Sequence, residues 1–356
     1  MTAAPSPMMP ESQAPGMSRV VAVQDQFGAW LIPGRKSPPS KEGGYSDRAD
    51  AAIERGVRLC AELEAGNILF CDREAVNLYF PRTAFPISAE EREFLLGQKQ
   101  TSAAYHKNIA YRPGEDRVTG LDKSEAAEAE KLRAILRNYS QRATEFLEKL
   151  LPPYAGKWKL DFASYRPLEE KGRPARTRAR NDLPHVDSFP TRPTNGDRIL
   201  RLFTNINPSK NRVWITSETF EAIAPRFAEA LGIPGAPSGH PAAKWLRALA
   251  HRSSRLLPGL APFIRRSPYD VFMHRCHNAM KEDAAFQAEC PKQRWEFPPD
   301  ATWIVFTDCL SHAVLEGQYA LEQTFLVSRE ALVAPERSPL AALERLAGHS
   351  LTIPAV

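Results

Sequence analysis

The stretch NDLPHVDSFPTRPTNGDRILRLFTNINP, residues 181–208, places a histidine and an aspartate two positions apart, just ahead of an alternating run. The alternation over residues 197–208 is typical of a β-strand. In an extended chain, residues i and i+2 point to the same side, so His185 and Asp187 can direct an imidazole and a carboxylate at one point. The pair indicates a metal site beside a β core. The alternative is a His–Asp hydrogen bond in a loop.

Further β patterns surround this pair on both sides. They lie at residues 157–167, 211–220, 301–315 and 319–330. Helical periodicity precedes them at residues 46–66 and 124–154, and a short helix is predicted at residues 339–348. A helical insertion at about residues 218–290 separates the early strands from the late ones. We therefore predict an α+β chain in which helices support a β core.

The composition is that of a soluble globular protein, because 43% of the 356 residues are hydrophobic and 25% are charged. The formal net charge of +5 suits an anionic partner, although many enzymes with neutral ligands share such a value. No apolar run approaches the roughly 18 residues of a membrane-spanning helix. The start of the chain lacks the basic and apolar regions of a signal peptide, which predicts a disordered leader.

Four regions follow from these patterns. We expect a leader at residues 1–18, an N-terminal α/β extension with the long helix at residues 19–155, a catalytic core at residues 156–335, and a C-terminal helix and tail at residues 336–356. The five cysteines form no CxxC pair and are odd in number, which favours reduced thiols that fill the core of a cytoplasmic protein.

A third metal ligand is predicted at His312, within WIVFTDCLSHAVLEGQYALEQTF, residues 303–325. Two histidines and one carboxylate form the facial triad of non-haem Fe(II) oxygenases, which leaves positions open for a keto acid and dioxygen. His274 and His277 compete for this role, but they lie in a helical pattern, where histidine more often packs or faces solvent. Cys309 is more typical of a core thiol than of a ligand.

Residues 185–208 and 303–325 resemble the Kdo hydroxylase family of Fe(II)/2-oxoglutarate-dependent dioxygenases, and the resemblance extends over residues 155–335. It implies a double-stranded β-helix (a cupin-like jelly roll) with flanking helices. It also implies Fe(II), 2-oxoglutarate and O2 as cofactor and cosubstrates. The reaction implied is hydroxylation at C3 of 3-deoxy-D-manno-oct-2-ulosonic acid (Kdo) to D-glycero-D-talo-oct-2-ulosonic acid (Ko). The family's HxD falls on His185 and Asp187, and its distal histidine falls on His312 by spacing.

The distal carboxylate of 2-oxoglutarate requires a cation, and arginine offers a fixed fork of donors. The candidates on or beside predicted core strands are Arg166, Arg198, Arg201 and Arg329. Many relatives place a basic residue about ten positions beyond the distal histidine, but this chain has Gln323 there, which departs from that pattern. We expect Arg166 and Arg201 to bind the cosubstrate, with Gln323 as a polar helper. Surface salt bridges are the alternative.

The substrate that the resemblance implies is Kdo-containing lipid A or its precursor, which is acidic. Between Arg166 and Arg180 the chain carries six cations and two acids, and we expect Arg176, Arg178 and Arg180 to bind the Kdo carboxylate or lipid A phosphates. A solvated loop is the alternative. Residues 245–266 mix arginines with apolar residues, which suits peripheral contact with an anionic inner-membrane surface. No nucleic-acid partner is expected, and a homo-oligomer is left open.

Three other functions remain compatible with the sequence. The same three ligands would serve a zinc hydrolase if a general base lay near the metal. A cupin-like sugar-binding module would keep the fold without catalysis. A 2-oxoglutarate oxygenase could also act on a different substrate.

Overall fold

A computed structural model of the chain describes residues 16–23, 45–71, 87–98, 108–120, 126–234 and 266–353. The strands are β1 (Val20–Ala22), β2 (Ile68–Cys71), β3 (Ile109–Arg112), β4 (Arg117–Thr119), β5 (Trp158–Arg166), β6 (Arg198–Asn205), β7 (Arg212–Thr219), β8 (Gln293–Phe297), β9 (Thr302–Phe306), β10 (Leu310–Glu316) and β11 (Ala320–Val327). The helices are α1 (Tyr45–Glu64), α2 (Ala89–Leu96), α3 (Ala126–Leu150), α4 (Phe220–Leu231), α5 (Pro268–Glu282), α6 (Ala284–Glu289) and α7 (Pro339–Ala347).

The strands form two sheets. The large sheet has the order β1-β2-β9-β6-β11-β5-β3-β4, and the small sheet has the order β10-β7-β8. Neighbouring strands are antiparallel except for β1 and β2. Aromatic side chains from both sheets pack against one another, with the Trp214 and Trp303 rings 5.6 Å apart. This aromatic cluster fills part of the space between the sheets.

The outer face of the large sheet packs on α1 and α3. Helix α3 buries the apolar stripe that its periodicity predicts, including Leu132, Leu136 and Phe146, in one core cluster with residues of β5, β6 and β9 on the helix-covered face of the sheet. Full burial of each such side chain contributes about 1.5–3 kcal/mol. The helix layer therefore holds the large sheet rigid behind the site.

The N-terminal region is part of the same sheet as the core. Strands β1 to β4 occupy both edges of the large sheet, so the predicted boundary at residue 155 does not separate two sheets. The predicted leader is also too long, because Met17 pairs with Glu218 and Ser18 Oγ lies 2.8 Å from Thr216 Oγ1. Residues 16–18 are thus tied to β7 by backbone and side-chain hydrogen bonds.

The predicted strand at residues 301–315 is two strands that belong to different sheets. A turn at residues 307–309 ends β9 in the large sheet and starts β10 in the small one. The turn is held from outside, because the Phe220 N–H donates to the Cys309 carbonyl at 2.5 Å and Arg198 Nε donates to Asp308 Oδ2 at 2.8 Å. As a result His312 lies within a strand of the small sheet.

Helix α5, from the predicted helical insertion, is tied to the loop that follows the HxD pair. Ser267 caps its N-terminus in a reciprocal arrangement with Asp270. The Asp270 carboxylate also accepts from the Thr194 N–H at 2.7 Å and the Asn195 N–H at 3.2 Å. Residues 235–265, which include most of the predicted membrane-contact segment, lie outside the described residues.

All five cysteines are buried and free, as predicted. Burial raises the pKa of Cys309 to about 11 and that of Cys276 to about 12, so both are protonated thiols at neutral pH. Among the described helices, none combines the length and the apolar character needed to cross a membrane.

Candidate metal centre

The two predicted histidine ligands are neighbours across an antiparallel bridge. The His185 N–H donates to the His312 carbonyl at 3.1 Å, and the His312 N–H donates to the His185 carbonyl at 2.9 Å. The Asp187 N–H donates to the Thr307 carbonyl at 2.8 Å. Residues separated by 120 or more positions are therefore fixed side by side through their backbones.

Hydrogen bonds to backbone carbonyls orient both rings. Nδ1 of His185 lies 2.7 Å from the Leu183 carbonyl, and Nδ1 of His312 lies 2.9 Å from the Leu310 carbonyl. A carbonyl only accepts, so each Nδ1 carries the proton and each Nε2 presents a lone pair. The Nε2 atoms of His185 and His312 lie 3.6 and 3.9 Å from the carboxylate oxygens of Asp187.

These separations fit a single metal ion. Two donors that each lie about 2.1 Å from one ion are at most about 4.2 Å apart, and both measured distances fall below this limit. Asp187 Oδ2 is buried and makes no hydrogen bond to any described residue. Two neutral imidazole nitrogens and one carboxylate oxygen form a donor set that suits non-haem Fe(II).

The protonation states match those that metal binding requires. Burial holds the pKa of His185 well below its usual value and also lowers the pKa of His312. Burial alone would raise the pKa of Asp187, but the Arg201 charge together with His185 and His312 outweighs it and holds that pKa well below its usual range. Both rings are thus neutral and the carboxylate is ionised at neutral pH, so no proton has to be displaced.

A third histidine, His277, reaches the same place from α5. Its Nδ1 lies 2.8 Å from the Val186 carbonyl, and its ring centroid is 4.9 Å from that of His185. Potential ligand atoms of His185, Asp187 and His277 all lie within 4.8 Å of one another. Burial lowers the pKa of His277 to about 4. The sequence favoured a packing or surface role for this residue, but the structure brings it to the cluster.

Arg201 and Arg166, the predicted cosubstrate residues, project from the large sheet beside this cluster. Arg201 Nη1 lies 3.2 Å from Asp187 Oδ2 and 3.4 Å from Glu322 Oε1. Arg166 is more fully paired, since its Nε donates to Glu322 Oε2 at 2.8 Å and its Nη1 is 3.8 Å from Glu170. Arg201 Nε is buried and makes no hydrogen bond to the described residues.

Two further residues of β7 belong to this interior, and the sequence analysis missed both. Trp214 stacks on His312 with ring centroids 5.2 Å apart. Arg212 is fully buried and its Nη1 donates to the Gly317 carbonyl at 3.1 Å. Within the described part of the chain, Trp214 Nε1 and Arg212 Nε have no acceptor. Their i, i+2 spacing on a predicted strand was the available signal, because it places both on one face.

The structure does not bring the other cosubstrate candidates to the cluster. Arg198 pairs with Asp308 on the helix-covered face of the large sheet. Arg329 Nη1 donates to the Asn195 carbonyl at 3.2 Å. Gln323 Nε2 donates to the backbone carbonyls of Asp161 and Thr324, at 3.1 and 2.8 Å, where β11 and β5 shift register.

The basic loop is exposed, and two of its three arginines have acidic partners. Arg178 Nε lies 2.6 Å from a Glu282 oxygen, and Arg180 Nη2 lies 2.6 Å from an Asp182 oxygen. Arg176 is exposed as well. Much of the charge that the sequence assigned to substrate binding is therefore compensated within the chain.

Comparisons with known proteins agree with this geometry. A family model described as 3-deoxy-D-manno-oct-2-ulosonic acid (Kdo) hydroxylase matches residues 47–350. The apo structure of the Kdo hydroxylase KdoO, a non-heme Fe(II) alphaketoglutarate-dependent dioxygenase, is 34% identical with a TM-score of 0.67 and covers 87% of this chain and 94% of that chain. KdoO in complex with cobalt(II) is 31% identical with a TM-score of 0.69, covering 95% and 98%.

A third structure, KdoO with alphaketoglutarate and Fe(III), is 33% identical with a TM-score of 0.66 and covers 87% of this chain and 94% of that chain. No curated protein sequence matches the chain. The predicted jelly-roll fold with flanking helices is confirmed by these structures. The family match spans well over half of the sequence, so the chain belongs to the Kdo hydroxylase family of Fe(II)/2-oxoglutarate-dependent dioxygenases.

Proposed function

We propose that the chain uses Fe(II), 2-oxoglutarate and O2 to hydroxylate C3 of a Kdo sugar carried on lipid A or its precursor, which gives Ko. This proposal rests mainly on the convergence of His185 Nε2, His312 Nε2 and the Asp187 carboxylate at separations that one ion can bridge. The similarity to KdoO structures that hold iron with alphaketoglutarate or succinate supports the cofactor and the cosubstrate.

We assign the third ligand to His312 and a place beside the metal to His277. Bound iron would need positions free for a chelating keto acid and for dioxygen, which three protein ligands would leave and a fourth would not. His312 is the better fixed of the two, because its backbone is paired with that of His185.

The buried donors without acceptors support a dicarboxylate cosubstrate. Arg201 Nε, Arg212 Nε and Trp214 Nε1 are all donors, and each lacks a hydrogen-bond partner among the described residues. A carboxylate supplies the missing acceptors, and buried donors left unpaired would each cost about 1–3 kcal/mol. We therefore place the distal carboxylate of 2-oxoglutarate near Arg201 and Arg212, with Arg166 held in position by Glu322.

Bound iron supplies the oxidative chemistry in which 2-oxoglutarate and dioxygen yield succinate, carbon dioxide and one oxygen atom for the substrate. The chain positions the metal ligands and excludes water from the site. The backbone pairing of His185 with His312 fixes the ligand geometry, and the aromatic cluster around Trp214 and Trp303 keeps water from one side. Arg201 keeps Asp187 ionised.

A zinc hydrolase is less well supported by the same residues. It needs a general base beside the metal, and the nearby carboxylates of Glu322 and Glu170 are both engaged by arginines. Burial would raise both pKa values, but the surrounding arginine charges, Arg166 foremost, together lower them, so each carboxylate is a weak base. A sugar-binding module without catalysis would not need the unpaired donors beside the metal.

For the lipid-borne substrate we propose a cytoplasmic enzyme with peripheral contact at an anionic inner-membrane surface. The arginine-rich and apolar composition of residues 245–266 supports this contact. Arg176, Arg178 and Arg180 would add weak, salt-sensitive attraction to phosphates and carboxylates. A homo-oligomer is compatible with the chain.

The test is succinate formation by protein reconstituted anaerobically with Fe(II), with and without a Kdo-containing lipid A precursor. We expect turnover to require Fe(II), 2-oxoglutarate and dioxygen, and to rise with the lipid in step with Ko. Succinate release that ignores the Kdo lipid would overturn the substrate assignment. Substrate hydrolysis without dioxygen would support the zinc alternative.

A further inference from the structure

Five side chains stack in alternation from β3, the strand next to the sheet edge, to the metal cluster. The guanidinium carbon of Arg112 lies 4.9 Å from the centre of the Phe162 ring, and that of Arg192 lies 4.2 Å from the same ring. Arg192 is also 3.9 Å from the Phe189 ring, which in turn lies 5.4 Å from Arg201. We call this series the arginine–phenylalanine ladder.

The ladder ends at the metal cluster. Phe189 is two residues beyond Asp187, and Arg201 Nη1 is 3.2 Å from Asp187 Oδ2. At the other end Arg112 is half-exposed on β3, close to the sheet edge. The series therefore runs from the half-exposed Arg112 to the metal cluster.

Arg192, at the middle of the ladder, has N–H donors that no described residue accepts. Its guanidinium carbon lies 4.2 Å from the centre of the Phe162 ring and 3.9 Å from that of the Phe189 ring, and these contacts help to hold the side chain in place. Nη1 pairs with Asp161, but Nε and Nη2 make no hydrogen bond to any residue that the structure describes. The side chain retains 28% of its exposure, so these donors are open to solvent.

The electrostatic surroundings of Arg192 also favour a further anion. Asp161 faces Arg192, whereas Arg201 is shared between Asp187 and Glu322, which have other roles. Burial and the repulsion from Arg201 lower the pKa of Arg192 to about 9. A second negative group beside Arg192 would offset both the loss of solvation and the repulsion from Arg201.

The strand pairing is irregular at the residues of β5 that contact Arg192. β5 and β11 shift register between Gln323 and Phe325, opposite Asp161 and Phe162. Such bulges redirect side chains and are common next to active sites. Here the two consecutive residues of β5 both contact Arg192, one as a carboxylate and one as a ring.

We propose that Arg192 is a specificity-determining residue that binds an oxyanion group of the substrate, a sugar carboxylate or a lipid phosphate, through its Nε and Nη2 edge. The inference rests on the proposed function, because that function supplies an acidic sugar on a phosphorylated lipid. Arginine suits such groups since its planar fork donates two parallel hydrogen bonds. Phe162 and Phe189 hold the fork in place.

The first experiment compares Arg192→Gln with the intact enzyme, using Arg117→Gln as the control, since Arg117 is an exposed arginine on neighbouring β4 that pairs with Glu115. Equilibrium binding of the Kdo-containing lipid A precursor is measured without iron or dioxygen. We expect Arg192→Gln to weaken binding roughly tenfold to a hundredfold, with an unchanged KM for 2-oxoglutarate and unchanged Arg117→Gln binding. Unchanged lipid binding, or a rise in the KM for 2-oxoglutarate instead, would overturn the proposal.

Two modified lipids identify the anion. If the carboxylate is bound, the loss caused by Arg192→Gln disappears on the Kdo methyl ester and persists on the dephosphorylated lipid. If a phosphate is bound, the pattern reverses. A loss of equal size on both lipids would overturn the proposal, because the residue would then act only through packing.

A structural role is tested separately through the partner of Arg192. If Arg192 served only to hold Asp161, then Asp161→Asn would weaken lipid binding as much as Arg192→Gln. We expect Asp161→Asn to leave binding equal or tighter, since the arginine keeps its charge. If the intact chain binds the lipid through Arg192 but does not turn it over, the proposed function is wrong and this inference stands. If the chain turns the lipid over but Arg192→Gln binds it normally, the proposed function stands and this inference is wrong. Failure of the intact chain to bind the lipid would overturn the inference.

Discussion

Two groups of arginines, each proposed to bind an anion, have opposite environments. The interior group projects between the sheets, where most or all of each side chain is buried beside the metal cluster; its members are Arg166, Arg201 and Arg212. Arg178 and Arg180 lie on an exposed loop, each with an acidic partner and more than a third of its side-chain surface in water. Sequence composition draws attention to the loop, because its positive charges are clustered within residues 171–180.

The difference shows that position decides what an arginine can do. A charge–charge contact is worth several times more in a partly buried site than in water, and exposed pairs typically contribute only about 0–1 kcal/mol. Strand alternation turns Arg201 and Arg212 toward the interior, where a carboxylate has few competing water molecules. The loop arginines can attract an anionic surface but cannot hold one group in a fixed place.

The largest effect is expected at the metal. His185→Ala, Asp187→Ala and His312→Ala should each abolish turnover and weaken Fe(II) binding by more than about a hundredfold, because even residues that only orient ligands cost 10–100-fold. Anaerobic Fe(II) titration measures this, and thermal unfolding checks the fold. His277→Ala is the matched control and should keep near-normal Fe(II) affinity. The reverse result, with His312→Ala retaining iron and His277→Ala losing it, would exchange the two assignments.

The next effect concerns the interior arginines. Arg201→Met should raise the apparent KM for 2-oxoglutarate roughly tenfold to a hundredfold, since a buried charge-assisted pair is worth about 1.5–3 kcal/mol. Arg329→Met should leave this KM unchanged, because Arg329 contacts the Asn195 carbonyl away from the cluster. Steady-state assays of succinate at varied 2-oxoglutarate provide the comparison. A normal KM in Arg201→Met would move the cosubstrate site.

Acid stability should separate the two regions further. Burial would raise the pKa of Glu322, but Arg166 and Arg201 together outweigh it and the pKa is lowered from 4.5. A lowered folded-state pKa gives stability that is present above the unfolded value and is lost as the pH falls from about 4.5 through the folded-state value. Chemical unfolding between pH 3 and 7 should therefore show a flatter acid limb for Glu322→Gln. Glu282→Gln, which removes an exposed partner, should leave the profile nearly unchanged.

The smallest effect is expected on the loop. Replacing Arg176, Arg178 and Arg180 together by glutamine should weaken binding to the lipid-linked Kdo only a few-fold and flatten its salt dependence, because exposed charges are screened within about 8–10 Å at physiological salt. Decarboxylation of 2-oxoglutarate without substrate should persist. Lipid binding across a salt series tests this. If the triple variant raised the KM for 2-oxoglutarate as much as Arg201→Met does, the contrast between the loop and the interior arginines would be wrong.

The parts of the site that sequence reasoning predicted depend on local geometry. His185 and Asp187 share a side because of the period of an extended chain, and His312 was found through its strand context. The apolar stripe of α3 and the buried thiols were likewise predictable from short-range pattern. Each of these needs no knowledge of which segments meet in space.

The missed parts depend on tertiary contacts. His277 joins the cluster because Asp270 ties α5 to the backbone of Thr194 and Asn195, about 75 positions earlier. The division of residues 301–315 into β9 and β10 follows from a turn without glycine or proline, which the helix α4 N-terminus and Arg198 hold from outside. The pairing of β1 to β4 with the core sheet is equally non-local.

The most direct test of the account supplies heavy-isotope dioxygen to the iron-loaded protein with 2-oxoglutarate and a Kdo-containing lipid A precursor. Dioxygenase chemistry predicts one labelled atom in succinate and one labelled hydroxyl at C3 of the sugar, in equal amounts, with both products absent in His312→Ala. Unlabelled sugar product, or product formed without dioxygen, would contradict the assignment of this metal centre to Kdo hydroxylation.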